Sequence, residues 1–148
     1  MAERFATNLT PELSCADFAK SLAFYTDILG FSIQYQRPED GFAMLEYQGS
    51  RLMIDQLHAV DPTPTGRSWI LAPMEYPFGR GINFQIVTDN VDALYERVQK
   101  LNAKIYLPME EKWYRADDLE LGNRQFIVLD PDGYMLRFFQ DLGERPVL

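Results

Sequence analysis

The sequence predicts an α+β fold built from two tandem βαβββ modules, one over residues 9–57 and one over 82–140, joined by a linker at 58–81 into a single domain of 148 residues. Three observations predict it. A strand-like alternation running into a capped helix occurs twice, once near the start of each half. Each helix is followed by three strand-like runs, and the last two runs of each half meet at a short turn ending in glycine, at Gly49 and at Gly133. Between the halves the composition changes, with Pro62, Pro64, Pro73 and Pro77 alongside Gly66 and Gly79.

Over residues 9–15, Leu9, Pro11, Leu13 and Cys15 fall on one face and Thr10, Glu12 and Ser14 on the other, the pattern of a half-buried strand. Asp17 then caps a helix with Phe18, Leu22, Tyr25 and Leu29 at helical spacing, and Gly30 stops it where a left-handed backbone is needed. Strands follow at 31–36, 42–47 and 51–57. In the second half 82–88 alternates, Asn90 caps a helix carrying Val91, Leu94, Val98 and Leu101, and 104–107, 124–129 and 134–140 supply three strands. Residues 108–123, absent from the first half, read as a long loop holding Trp113, Tyr114 and Arg115; the linker holds Trp69, Tyr76 and Phe78. Loops this long in a small domain are places where function concentrates.

The two halves register with small offsets. Residues 42–49 and 126–133 align without a gap at a spacing of 84. The caps Asp17 and Asn90 lie 73 apart, whereas the helix ends Gly30 and Asn102 lie 72 apart. Alternation decides for 73 at the leading strand, because that register turns Ile82, Phe84 and Ile86 toward the helix and keeps Asn83 and Gln85 away from it. Thr10 then corresponds to Asn83.

Composition narrows the function. An apolar share of 47% supports a real core, and 14% of the residues are aromatic. The net charge of −8 argues against a nucleic-acid partner and favours cationic small molecules near the surface. With one cysteine, Cys15, no intramolecular disulfide forms. No basic segment followed by an apolar run reads as a signal peptide, and no apolar run reaches the ~20 residues of a membrane span, so the expectation is a cytoplasmic protein without a membrane partner.

The motif Asp17 to Phe31, with Ser21-Leu22-Ala23-Phe24-Tyr25 inside it, and the run Asp130-Pro131-Asp132-Gly133-Tyr134-Met135-Leu136-Arg137-Phe138 resemble the vicinal oxygen chelate superfamily. Within it, the chain is most similar to bleomycin-resistance proteins. The resemblance implies that each half contributes part of a cleft, with the halves meeting within a chain or across a dimer. It also implies a homodimer in which the N-terminal strand is exchanged; the lead before residue 9 and Pro11 in the first strand fit such an arm.

Enzymes of the superfamily hang His, Gln or Glu metal ligands on four strand positions. Carried onto this chain, those positions are Thr10, Met53, Asn83 and Arg137, none of which is a metal donor of the usual kind. Moving two residues along the strand brings in only Asp55, and the one histidine, His58, lies beyond that strand. The expectation is no metal and no other cofactor. One histidine assembles no Ser-His-Asp or Cys-His centre, and Cys15 falls on the helix-facing side of its strand, where a thiol is inert. Paired carboxylates, Glu12 and Asp55, are the remaining acid/base candidates.

The primary expectation is therefore a binding protein with no catalytic residues, sequestering a cationic aromatic glycopeptide antibiotic of the bleomycin kind in a cleft at a dimer interface. Such a cleft stacks flat rings, worth about 0.5–1.5 kcal/mol per aromatic pair beyond burial. Phe42 matches the family's stacking phenylalanine. The family's second stacking residue is a tryptophan two positions before the Arg of Arg124-Gln125-Phe126, and here that position is Gly122. Trp113, Tyr114 and Trp69 are the candidate replacements. Glu39, Asp40, Asp55, Glu110, Glu111, Asp117 and Asp118 are candidate acidic walls; Arg115, Arg124 and Arg137 favour an anionic group instead. The ligand-binding set is Phe42, Asp55, Trp69, Trp113, Tyr114 and Arg137. The alternative is a lyase or isomerase of the same superfamily acting on a small oxygenated substrate.

Overall fold

A computed structural model describes residues 8–58 and 69–148. Residues 1–7 of the lead expected to exchange between protomers, and the linker positions Pro62, Pro64 and Gly66, lie outside the described residues. The chain divides into two units, one running to Arg80 and taking in Pro131–Gly133, the other comprising Gly81–Asp130 and Tyr134–Leu148.

The first unit holds a four-stranded sheet of β1 (Glu12–Cys15), β2 (Ser32–Arg37), β3 (Phe42–Tyr47) and β4 (Ser50–Gln56) in the order β1-β4-β3-β2. β1 runs parallel to β4 and the other pairs are antiparallel. Helix α1 (Phe18–Ala23) starts where the Asp17 carboxylate accepts from Lys20 N, and it continues as a π-helical turn over Phe24–Ile28. In that turn Leu29 N donates to Phe24 O at 3.1 Å, one residue further than an α-helical bond would reach. This extra residue is why the caps of the two helices are 73 apart and their ends 72. Gly30 (φ 86°) and Asn102 (φ 58°) both end their helices in the left-handed region. Leu13 and Cys15, Ala43 and Leu45, and Leu52 and Ile54 are buried on alternate strand positions, and Phe24, Tyr25 and Leu29 are buried with them. Tyr25 meets Phe24 and Phe31 edge to face at 5.3 Å.

Asp132 completes this unit. Its side chain, 5% exposed, accepts from Ala16 N at 3.0 Å and Ser21 Oγ at 3.3 Å, while its carbonyl accepts from Phe78 N at 2.8 Å. The backbone leaves Asp132 through Gly133 at φ 86°, where a Cβ would lie 2.5 Å from Pro77 Cβ. Only glycine fits there.

The second unit repeats the plan with β5 (Asn83–Val87), helix α2 (Val91–Lys100), β6 (Lys104–Ala116), β7 (Leu119–Leu129) and β8 (Met135–Pro146), in sheet order β5-β8-β7-β6. Asn90 caps α2 by accepting from Ala93 N. Phe126 stacks on Phe138 at 5.8 Å and meets Tyr95 at 5.0 Å, and with Val91, Leu94, Val98, Val128 and Leu136 these form the second core.

Residues 108–123 are not the loop the sequence suggests. They are the outer part of a long β6–β7 hairpin that turns at Asp117 (φ 55°), and β8 runs past Gln140 to accompany it. The alternation was invisible there because both faces of the outer hairpin carry charged or polar residues, leaving no buried face to mark the period.

Strand pairing tests the repeat register. Glu12 pairs with Met53 in the first sheet, and Gln85 with Arg137 in the second, which are the same pair displaced by 73 and 84. The helix starts agree: Phe18 N donates to Gln56 Oε1 at 2.8 Å and Val91 N to Gln140 Oε1 at 3.1 Å. The gapless hairpin alignment is corrected by the ladder. Phe42 faces Asp55, and the equivalent of Asp55, Phe139, faces Gln125 and not Phe126. β8 thus follows β4 at 84 but β7 follows β3 at 83. The one-residue difference lies in the second turn, where Asp130 and Tyr134 close over Pro131–Gly133.

Candidate functional site

Alternation leaves each sheet one face away from its helix. On the first sheet that face carries Glu12 from β1, Asp55 from β4, and Phe42 from β3. Phe42 is cross-strand from both Asp55 and Arg37. It is 6% exposed, with the Arg37 guanidinium 4.1 Å from its ring centroid and the Tyr35 ring at 5.9 Å. Arg37 also holds Asp40 at 3.2 Å. The stacking candidate is therefore already covered by a cation and an aromatic ring from β2, two partners the sequence reading passed over.

Glu12 and Asp55 lie on this face near enough for each carboxyl to perturb the other. Burial, then the Asp55 charge and hydrogen bond, push the Glu12 carboxyl above its usual value, with Arg37 acting against them. Burial also raises Asp55, and the Asp40 charge adds to it, while the hydrogen bond from Glu12, His58 and Arg37 pull it down. Glu12 keeps solvent contact, which screens part of the effect. Because the folded state holds these protons to higher pH than the unfolded chain, stability falls as pH rises above the ordinary carboxylate range of about 4. Glu12→Gln should accordingly raise the thermal midpoint at pH 7 and change it less near pH 4. An equal shift at both pH values, or a drop at pH 7, would contradict the upward displacement of the Glu12 carboxyl.

The second sheet's open face holds a cleft of about 720 Å³ lined by Gln85, Tyr114, Leu121, Asn123, Arg137, Phe139, Asp141, Gly143 and Glu144. Two of the predicted ligand residues, Tyr114 and Arg137, are brought together here. Tyr114 OH bonds Gln125 Nε2 at 2.7 Å, and the same amide donates to Glu110 at 2.9 Å. Arg137 donates to Gln85 Oε1 at 3.1 Å. Asp141 and Glu144 escaped sequence reasoning because the last strand was ended at residue 140; Phe139 was not singled out, although alternation from Arg137 puts it on the same face.

Trp113, adjacent to Tyr114 on β6, does not line this cleft. It pairs with Gly122, where a Cβ would lie 2.6–2.8 Å from three of its ring atoms, and the Arg145 guanidinium lies 4.1 Å from its ring centroid. Arg145 is itself held by Glu120 at 2.6 Å. Trp69 is 66% exposed. Of the other candidate charges, Arg124 is engaged by Asp92 at 2.7 Å and Glu111 at 3.6 Å, and Arg115 donates to Asp117 O at 2.9 Å.

A sequence profile of the glyoxalase/bleomycin resistance protein/dioxygenase superfamily matches residues 9–138. The chain belongs to that superfamily. Bleomycin resistance proteins of Geobacillus stearothermophilus and Staphylococcus aureus are each 28% identical to it over 143 residues, covering 89% of this chain and 95% of theirs. Among solved structures, TioX from Micromonospora sp. ML1 shares the fold with a TM-score of 0.65 at 21% identity, covering 90% of this chain and 98% of its own. A superfamily member from Alicyclobacillus acidocaldarius does so at 0.59 and 18% identity, with 90% of each chain covered.

The superfamily's enzymes imply a divalent metal, and the residues here do not fit one. Thr10, Met53, Asn83 and Arg137 offer a hydroxyl, a thioether, an amide and a guanidinium. The strand partners of Met53 and Arg137 add Glu12 and Gln85, and Glu12 is engaged with Asp55. Among the described residues no three His, Cys, Asp or Glu side chains converge. Cys15 is 2% exposed on the helix side of β1, and among the described residues no helix is long and apolar enough to cross a membrane.

Proposed function

We propose that this superfamily member is a binding protein that sequesters a cationic aromatic antibiotic of the bleomycin kind, acting as a cytoplasmic homodimer without a metal or other cofactor. The observation that carries the reading is the 28% identity to bleomycin resistance proteins across nearly the full length of both chains. The chemistry of the open faces supports it. One face offers the carboxylates Glu12 and Asp55 beside Phe42 and Tyr35; the other offers Tyr114 and Phe139 with Asp141 and Glu144. Acidic groups beside aromatic rings suit a flat, positively charged ligand. Asp55, Tyr114 and Arg137 are the proposed contacts, together with Phe42 once a flat cationic ring takes the place of the Arg37 guanidinium over it, with Trp69 at the margin; Trp113 reports on its own hairpin through Gly122 and Arg145.

The test is tryptophan and tyrosine fluorescence during titration with metal-free bleomycin. Saturable quenching is expected, with Phe42→Ala and Tyr114→Phe each weakening the apparent affinity, Phe42→Ala by about tenfold. Unchanged affinity in both variants would remove these faces from the site.

A second reading, a lyase or isomerase, is favoured by the Glu12–Asp55 pair alone, since two neighbouring carboxyls that are both raised are suited to acid/base chemistry. Turnover of a small oxygenated substrate that is abolished by Glu12→Gln would establish it.

A further inference from the structure

The position that carries a metal ligand in the superfamily's enzymes carries a guanidinium here, and its setting is unusual. Arg137 lines the second sheet's cleft, is half-buried, and its Nε is buried without a hydrogen-bond partner. Its guanidinium bonds the neutral amide of Gln85 at 3.1 Å, and among the described residues no carboxylate lies within 4.0 Å of it. By contrast Arg37, Arg80, Arg124 and Arg145 all have carboxylate partners. A half-buried cation with no counter-charge is costly and is relieved by an anion.

The cleft has a second pole. Asp141 lies four residues along the same strand, about 13 Å from Arg137, and Glu144 lines the cleft with it. Between the poles on the strand stands Phe139; Leu121 is cross-strand from Glu144, and Tyr114 reaches from β6 to Gln125, the cross-strand partner of Phe139. Arg137 and Phe139 alternate onto the open face with Gln85 and Asn123 as neutral polar neighbours, so the cleft presents cation, apolar wall and carboxylates in sequence along one strand.

The geometry points to a site for a zwitterionic ligand, with a carboxylate on Arg137, an apolar or aromatic body against Phe139 and Tyr114, and an amine at Asp141 and Glu144. Arginine is suited to this end because its planar donors meet a carboxylate two at a time. This goes beyond the sequestration reading, which makes Arg137 a contact but, with a cationic aromatic ligand, supplies no anion for it to hold. It also stands whether or not bleomycin binds.

The experiment is a calorimetric and heteronuclear NMR titration of the full chain with the tripeptide glycyl-phenylalanyl-glycine, in three forms: free termini, C-terminal amide, and N-terminal acetyl. The free form is expected to bind with shifts on β5 and β8, and amidation or acetylation to weaken it about tenfold each. Arg137→Gln should weaken the free form by the same factor and leave the amide unaffected. Asp141→Asn, which keeps the oxygen that accepts from Gly143 N at 2.8 Å, should weaken the free form and leave the acetylated form unaffected. This second variant keeps the test open if Arg137→Gln does not fold. Equal affinity of the three forms, absence of binding by the free form, or indifference to both variants would overturn the proposal. Bleomycin binding with no tripeptide binding would overturn this site and leave the sequestration reading standing.

Discussion

Asp132→Ala is expected to destabilise the protein by about 2–4 kcal/mol, measured by urea unfolding, because it strips the acceptor from two groups at the start of the first helix. Ala16 N and Ser21 Oγ both donate to this carboxylate, and Ser21 is 1% exposed, so water does not replace the lost bond. Asp132→Asn keeps one side-chain oxygen for Ala16 N and should lose less. A change below about 0.5 kcal/mol for the alanine variant would mean that the turn does not hold the first unit together. The residue is read most easily as a turn former in Asp130-Pro131-Asp132-Gly133, and its long-range role comes from the one residue by which this turn exceeds its counterpart at Gln48 and Gly49.

Gly122→Ala should cost about 1–3 kcal/mol and shift the emission of Trp113 to the red, because the new methyl group falls within 2.6–2.8 Å of the indole. In a Trp113→Ala background the same substitution should be nearly neutral, giving an interaction energy of about 1 kcal/mol or more in the double-mutant cycle. An equal cost in both backgrounds would show that Trp113 is not seated on Gly122. The pair explains the departure from the family pattern: with glycine at the tryptophan position, an indole from the neighbouring strand covers it, under the guanidinium of Arg145.

The fold was legible wherever burial imposed a period. Leu13 and Cys15 on β1, and Val91, Leu94 and Val98 on α2, are buried as the alternation and the helical spacing require. The 72-against-73 mismatch between the halves held real information, since it is the π-helical turn at Phe24–Ile28. Matching glycines at 49 and 133 were misleading, because both are left-handed turn residues and their equivalence hid the residue inserted before the second. That slip paired Phe42 with Phe126, which faces the helix, when its structural counterpart is Gln125.

The candidate site was legible in part. Glu12 and Asp55 were found from alternation, and Arg137 from the repeat spacing. Asp141 and Glu144 were hidden because the outer part of β8 is exposed on both faces and carries no periodic signal. The cover on Phe42 was hidden because a bulge in β2, between Ile33 and Tyr35, changes which side chains reach across.

Calorimetric titration of the purified protein with metal-free bleomycin, assayed for turnover in the same sample, decides whether the chain sequesters a drug of the bleomycin kind. Saturable binding with a Kd of about 1 μM or tighter is expected, with bleomycin recovered chemically unchanged. No saturable heat up to about 1 mM drug, or recovery of a modified product, would contradict it.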